Sequence, residues 1–476
     1  MVSLNTDTQS DMSDLGKPLV SVYITNYNYG DYLKEAIESV LAQTFGSFEL
    51  IIIDDGSSDG SDEIISRYDD VEKIVCIHQE NKGLIYSNNI ALRLSRGKYI
   101  MRLDADDYLA PQALEVLVPE MERNSETALV FPDYYLIDRE GSVTGHIHRH
   151  NFQTDVDLLD QPAHGACTLI RKSFLNSVGG YDQSFPIQDG YDLWLNIIDK
   201  YPIRNVNRPL FYYRQHDKSI TSNEKELLRT RGKIKANHVQ KRHLDPINVI
   251  AIIPVRGQSI DPRSNPLRKI GERYLIDWTI ESALESRLVT KVIITSPDKQ
   301  VIGHVRTNYP EVMLHERDVQ LACINTGIED TALEALDFYK SDGEEPDALL
   351  MLYIEAPFRS TMYIDKAINT FQLYDVDVVD GVRSDDDIFY VHRGNGMELW
   401  NKDRKLRLER EELYRRVGGI HLIRTSALIE AKDMGAGKIG HIILDQRAAF
   451  TIKSELDWEI ANLIINKKFV REDVEK

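Results

Sequence analysis

Cysteine is scarce in this sequence. Cys76, Cys167 and Cys323 are the three among 476 residues, and no Cys-x-x-Cys spacing occurs. That excludes a disulfide framework and a cysteine-built metal site, and it fits a reducing compartment. Cys76 lies inside Ile74-Val75-Cys76-Ile77 and reads as a small buried strand residue. No apolar run approaches the roughly 20 residues that a membrane-spanning helix needs. Positive charge is also in deficit. The 57 Lys and Arg against 76 Asp and Glu give a formal net charge of −19, which argues against nucleic acid as a partner. The first 17 residues lack the basic-then-apolar order of a signal peptide and read as a disordered polar tail. These absences point to a cytoplasmic protein without a membrane span.

A hydrophobic content of 42% and a charged content of 28% are those of a globular chain long enough for two or three domains. The stretch that organises it is Tyr99-Ile100-Met101-Arg102-Leu103-Asp104-Ala105-Asp106-Asp107. A short apolar run ends there in three carboxylates, which are costly to desolvate unless they find a cation. Hard divalent ions such as Mg and Mn match oxygen ligands and can bridge phosphates. Earlier, Leu19 to Ile24 reads as a buried strand. Leu33, Ala36, Ile37, Val40 and Leu41 recur at helical spacing. Glu49 to Ile53 is a second buried strand, stopped by Asp54-Asp55-Gly56-Ser57-Ser58-Asp59-Gly60. Strand, helix, strand with short joins predicts a parallel βαβ unit, whose ligands sit beyond the carboxyl ends of the strands. Two acidic turns should then face one crevice. Asp133 to His150 reads as a hairpin turning at Arg139-Glu140-Gly141. His146, His148 and His150 alternate onto one face, read as polar surface rather than as a metal site.

Residues 18–221 resemble the family 2 glycosyltransferases of the GT-A fold. The resemblance rests on Val20 to Asn28, Asp54 to Ser61, Asn81-Lys82-Gly83 and Leu103 to Asp107. It continues in Gly179-Gly180-Tyr181-Asp182, Gln188 to Trp194 and Tyr213-Arg214-Gln215-His216. It implies inverting transfer of a sugar from a nucleotide-sugar donor, with UDP favoured, to the hydroxyl of a saccharide or glycoconjugate acceptor. Such a hexosyltransferase would serve polysaccharide synthesis. It implies donor-nucleotide contacts for Thr25, Tyr27, Asp54, Asp55, Asn81, Lys82, Asp104 and Ala105. Asp106 and His216 would hold the metal, Mn or Mg. The acceptor proton needs a base, and the matching position is Asp189, with Asp192 as the alternative. Gln188 stands where the family has Glu, and Gly190 reads as an insertion. Tyr191 and Trp194 could stack on an acceptor sugar, with core packing an equal alternative.

Residues 222–246 form a charged segment with a partial apolar stripe, read as an exposed helical linker. Its basic residues leave a peripheral lipid contact open. From 247 to 476 the strand and helix signals repeat, predicting a second α/β domain. Ile253 to Gly257, Ile276 to Glu281, Ala356-Pro357-Phe358-Arg359 and Ser454 to Asp457 resemble the cytidylyltransferases that activate acidic sugars. That family's metal-binding Asp-x-Asp falls on Thr451-Ile452-Lys453, and Ser264 stands where a Lys is expected. The domain therefore reads as degenerate, since phosphoryl-type chemistry depends on metal charge. Arg256, Arg263, Arg359 and Arg383 could still gather an anion. The resemblance also raises a homodimer through this domain. The expected fold class is thus α/β, two nucleotide-binding Rossmann-like domains in tandem. Alternatives are a bifunctional enzyme that also activates an acidic sugar with CTP, and a non-catalytic scaffold.

Overall fold

The computed structural model describes residues 17–158, 160, 162–198, 200–216, 223–323, 327–340, 345–385, 387, 389–392, 394, 396–400 and 413–466. The N-terminal tail read from sequence lies outside them, apart from its last residue. The chain forms two compact units that meet between Asn223 and Glu224 in sequence.

The first unit opens with β1 (Val20–Asn26), α1 (Gly30–Leu41), β2 (Phe48–Asp54), α2 (Ser61–Ile65), β3 (Ile74–His78), α3 (Leu84–Leu94) and β4 (Tyr99–Asp104). All four strands are parallel. β1 and β2 are buried on both faces, which is why they read as continuous β-branched runs. Val20, Val22 and Ile24 pack with Leu33, Ala36, Ile37 and Val40 of α1 in one core. Burying each large aliphatic side chain there contributes roughly 1.5–3 kcal/mol. Then come β5 (Tyr108–Leu109), α4 (Ala113–Glu122), β6 (Leu129–Ile137), β7 (Val143–Ile147), β8 (Leu169–Arg171), α5 (Lys172–Ser177), α6 (Asp189–Ile197) and β9 (Ile203–Arg214). The strand order is β3-β2-β1-β4-β8-β6-β9-β5, with β7 paired to β6. β1 has β2 on one side and β4 on the other, so the order reverses there. A crevice at this switch point, beyond the carboxyl ends of β1 and β4, is where open α/β sheets bind ligands.

The second unit begins with α7 (Glu224–Lys241), β10 (Val249–Pro254), β11 (Lys269–Ile270), β12 (Arg273–Tyr274), α8 (Leu275–Leu284), β13 (Lys291–Ser296), α9 (Lys299–Asn308) and β14 (Met313–Glu316). It continues with α10 (Ile328–Lys340), β15 (Ala348–Leu352), α11 (Thr361–Tyr374), β16 (Val378–Asp385), β17 (Tyr390–His392), β18 (Met397–Leu399), β19 (Leu413–Arg424), α12 (Thr425–Ala431), β20 (Ile439–Ile443) and α13 (Glu455–Asn466). Its seven-stranded sheet runs β14-β13-β10-β15-β19-β16-β20. β10 is parallel to both neighbours and again marks a switch point. β19 is antiparallel to β15 and β16.

The charged helix expected to be an exposed linker is α7, and the structure corrects that expectation. α7 packs against α11. Leu228 and Ile234 are buried, and Lys235 Nζ donates to Thr370 Oγ1 at 2.6 Å. A narrow apolar stripe was enough to dock a helix that is otherwise charged. No helix among the described residues is long and apolar enough to cross a membrane.

Candidate active site

Strand register brings the acidic turns together. Asn26 pairs with Asp54 on one side of β1, and Thr25 pairs with Asp104 on the other. The Asp54 carboxylate turns into its own loop, accepting from Asn26 Nδ2 at 2.7 Å and Ser57 Oγ at 2.6 Å. Asp55 ties the edge of β2 to the start of α3. Its oxygens accept from Lys82 N at 2.9 Å, Gly83 N at 2.8 Å and Gln79 Nε2 at 2.6 Å. Gly56 between them has φ +78°, and a Cβ there would meet Asn81 N at 2.9 Å, so the turn requires glycine.

Beyond β4 three carboxylates crowd one turn. Asp106 Oδ2 lies 2.9 Å from His216 Nε2. Burial and then the neighbouring Asp104 push the Asp106 carboxyl above the usual carboxylate range, against the pull of His216. Asp107 is pushed well up by burial, Asp106 and Asp104. Its Oδ1 accepts from Arg214 N at 2.8 Å, while Oδ2 is buried with no partner among the described residues. Arg214 is the clamp of this corner. Its Nε donates to the Asp106 carbonyl at 2.8 Å, Nη1 to the carbonyls of Asp138 and Arg139, and Nη2 to Glu35 at 2.6 Å. Tyr32 stacks on His216 with ring centroids 5.6 Å apart.

Arg102 joins this corner to the candidate base. It lies in β4 with its side chain buried, its Nε 2.9 Å from Asp104 Oδ1 and its Nη1 2.5 Å from Asp189 Oδ2. Burial would weaken the guanidinium charge; Asp104 and Asp189 more than reverse that and keep it protonated. Asn88 Nδ2 donates to the same Asp189 oxygen at 2.9 Å. Both of these bonds fall on Oδ2 of Asp189. Gly165 leaves room for the guanidinium, because a Cβ there would collide with Arg102 Nη2.

Comparison with known proteins bears on this arrangement. The glycosyl transferase family 2 model matches residues 21–179. An Escherichia coli relative, UDP-Glc:alpha-D-GlcNAc-diphosphoundecaprenol beta-1,3-glucosyltransferase WfaP, is 34% identical over 232 residues, covering 47% of this chain and 89% of the relative. The chain belongs to glycosyl transferase family 2. Chondroitin synthase of Escherichia coli is 32% identical over 192 residues, covering 40% of this chain and 28% of that protein, so the chain spans just over a quarter of its length. Among solved structures, S. aureus TarS 1-349 in complex with UDP-GlcNAc is similar at a TM-score of 0.39 and 16% identity, covering 46% of this chain and 66% of that one.

Within the family 2 unit, the structure brings Thr25, Asp54, Asp104, Ala105, Asp106 and His216 to one sheet edge or to the turn beyond it. Asn81 and Lys82 are exposed at the α3 start, with Lys82 Nζ 4.9 Å from the Tyr86 ring centroid. Tyr27 is exposed. The stacking role expected for Trp194 and Tyr191 is corrected. Trp194 is 1% exposed, edge-on to Phe131 and Phe152, and Tyr191 is also buried. Neither ring has a face open to a sugar. Asp192 is buried on the first turn of α6, where its Oδ2 accepts from Asn196 Nδ2 at 3.2 Å. It is a carboxylate of the helix N-terminus rather than an open base. Sequence reasoning missed the roles of Arg102, Asn88 and Arg214. An arginine inside an apolar strand was the available signal for Arg102, since a buried cation demands a partner.

The second unit has a crevice of its own. A cavity of about 820 Å³ opens at its switch point, with Arg256, Arg263, Arg317, Glu355 and Lys453 in its walls. Two of the four arginines expected to gather an anion are elsewhere. Arg359 is buried and donates to the carbonyls of Gly418 and Gly419, and Arg383 pairs with Glu224 at 3.1 Å. Both were consumed by packing that sequence spacing does not reveal.

Proposed function

We propose that the first unit moves a sugar from a nucleotide-sugar donor to an acceptor hydroxyl with inversion at the anomeric carbon. The observation that carries this reading is the ion-paired row Asp104–Arg102–Asp189. It sets the acidic edge, where a donor diphosphate and its metal would sit, one guanidinium away from a carboxylate held through one oxygen. Asp189 is the base that takes the acceptor proton, and Arg102 and Asn88 orient it through Oδ2, leaving Oδ1 for the acceptor hydroxyl. Asp106 and His216 fit a divalent ion. Three carboxylates crowd this turn, of which Arg102 pairs with Asp104 alone, one Asp107 oxygen is buried without a partner among the described residues, and a carboxylate beside an imidazole suits Mn at least as well as Mg. Such an ion supplies charge neutralisation at the leaving diphosphate. UDP is the favoured nucleotide, because WfaP is named for UDP-Glc and is the more completely covered relative.

The test is turnover of UDP-, GDP-, dTDP- and CMP-sugars with lipid-linked and oligosaccharide acceptors, with and without Mn, followed by NMR of the product anomer. Metal-dependent, inverted product from a UDP-sugar is the expected result. Retained configuration, or full turnover by Asp189→Asn, overturns the assignment.

A second reading concerns the second unit. Its cavity sets Arg256, Arg263, Arg317 and Lys453 against Asp261, Glu355 and Glu455, a small cationic excess that suits an anionic small molecule, while Thr451 and Lys453 stand where nucleotidyl transfer would need paired carboxylates. Calorimetry of CTP and CMP against the full chain carrying Asp106→Asn tests it. Binding abolished by Arg317→Met places the ligand there, and release of pyrophosphate from CTP would restore the bifunctional alternative.

A further inference from the structure

The β6–β7 hairpin carries a cluster that the transfer chemistry does not use. Tyr134 pairs with Ile147 and Tyr135 with His146, so continuing the register sets Asp133 opposite His148. Residues opposite each other share a face, and so do positions two apart on one strand. Asp133, His146 and His148 therefore project together. Their ligand atoms all lie within 4.8 Å of one another. His150, two residues further on, is not part of the group.

Two of the three environments are unlike those of a polar surface. The Asp133 side chain is fully buried, with Oδ1 accepting from Arg149 N at 2.9 Å and Oδ2 2.7 Å from His148 Nδ1. His146 Nε2 is shielded from solvent and has no hydrogen-bond partner among the described residues. A buried imidazole nitrogen without a partner is costly. It sits beside a buried carboxylate and a second imidazole.

We propose that Asp133, His146 and His148 form a site for a divalent transition metal of the zinc type. Two imidazoles and one carboxylate are the protein ligands of sites that keep a fourth position open. The set favours Zn over Mg, which prefers oxygen ligands and retains its waters. Binding satisfies the His146 nitrogen and takes the place of the hydrogen between His148 Nδ1 and Asp133 Oδ2, the neutral imidazole then carrying its hydrogen on Nε2. His148 is 66% exposed in its side chain and free to turn, so the cluster can contract to metal-ligand distances without moving the strands. The same hairpin turns at Asp138 and Arg139, whose carbonyls Arg214 holds. An ion at the triad pins the two strands at the end away from that turn.

The test uses the full chain stripped with a chelator and titrated with Co, then Zn, in excess Mg. We expect one equivalent of Co with the visible ligand-field band of a four-coordinate site, bleached by Zn. The band should persist in Asp106→Asn, which separates this site from the acidic edge. His148→Gln changes an exposed side chain and should fold normally. It and His146→Ala should each weaken binding roughly 100-fold or more, at or beyond what loss of a supporting partner costs. No saturable Co or Zn binding, or unchanged affinity in both histidine variants with an unaltered metal-free thermal transition, overturns the proposal.

Discussion

Arg102 donates to Asp189 across 2.5 Å, although the two lie 87 residues apart in the chain. The pair closes a loop of sequence from β4 to the start of α6. It also places a fixed positive charge between the candidate base and Asp104. Arg102→Met would leave two carboxylates facing each other in a buried setting. Breaking a buried pair by removing one partner costs about 3–5 kcal/mol. Urea unfolding of the first unit should report a loss of that order. A loss below about 1 kcal/mol would mean that the pair is not held in solution.

The base assignment predicts a separation of chemistry from binding. Asp189→Asn keeps the oxygen that Arg102 and Asn88 hold but cannot take a proton. Its kcat should fall roughly 10²–10⁴-fold, the usual contribution of general base catalysis. Affinity for UDP with Mn should stay within about 2-fold, since the interaction lost acts only in the transition state. Equal losses in donor affinity and kcat would instead make Asp189 a donor-site residue.

Asp106→Asn tests the opposite corner. Replacing one carboxylate of the acidic turn should abolish the metal dependence of UDP binding and reduce turnover by roughly 10²-fold or more, since several kcal/mol of charge stabilisation are lost. Titrating Mn against both proteins, with UDP present, checks it. Full metal-dependent turnover by the variant would remove Asp106 from the site. Lys453→Ala, in the second unit, should leave transfer unchanged.

Much of the first unit was legible because its strands are buried on both faces. Leu50 to Ile53 can only be a central strand, and the aspartates that end it can only face the carboxyl edge. Contacts across elements were not legible. Helical spacing shows that Asp189, Tyr191 and Trp194 open one amphipathic helix; it does not say that Trp194 points into Phe131 and Phe152. The alternating histidines were visible, but their partner Asp133 depends on the hairpin register set by the turn near Gly141. The stripe on α7 was seen, and its burial was not, because charge dominates the average over that helix. In the second unit the βαβ half was readable, whereas β16 and β19 are long antiparallel strands without a comparable apolar signature.

His164 carries a pH prediction that sequence could not suggest. It is packed among Tyr134, Phe211 and Tyr213, and Ala166 N donates to its Nδ1 at 3.1 Å. Burial and then the charge on Arg102 pull its imidazole down to about 3. In the unfolded chain it titrates near 6.5. The unfolded state therefore binds the proton more tightly than the folded state. The stability this group contributes is fully present above pH 6.5 and is lost as pH falls from there toward 3. Within that window the loss is about 1.4 kcal/mol per pH unit. His164→Asn keeps an acceptor for Ala166 N and removes the titration. Unfolding of the first unit at pH 7.5, 6.5, 5.5 and 4.5 should show the two proteins diverging only below 6.5, with the steeper acid loss in the wild type. Parallel profiles would mean that His164 takes up its proton in the folded state, and that the pocket beside Arg102 is wetter than its packing implies.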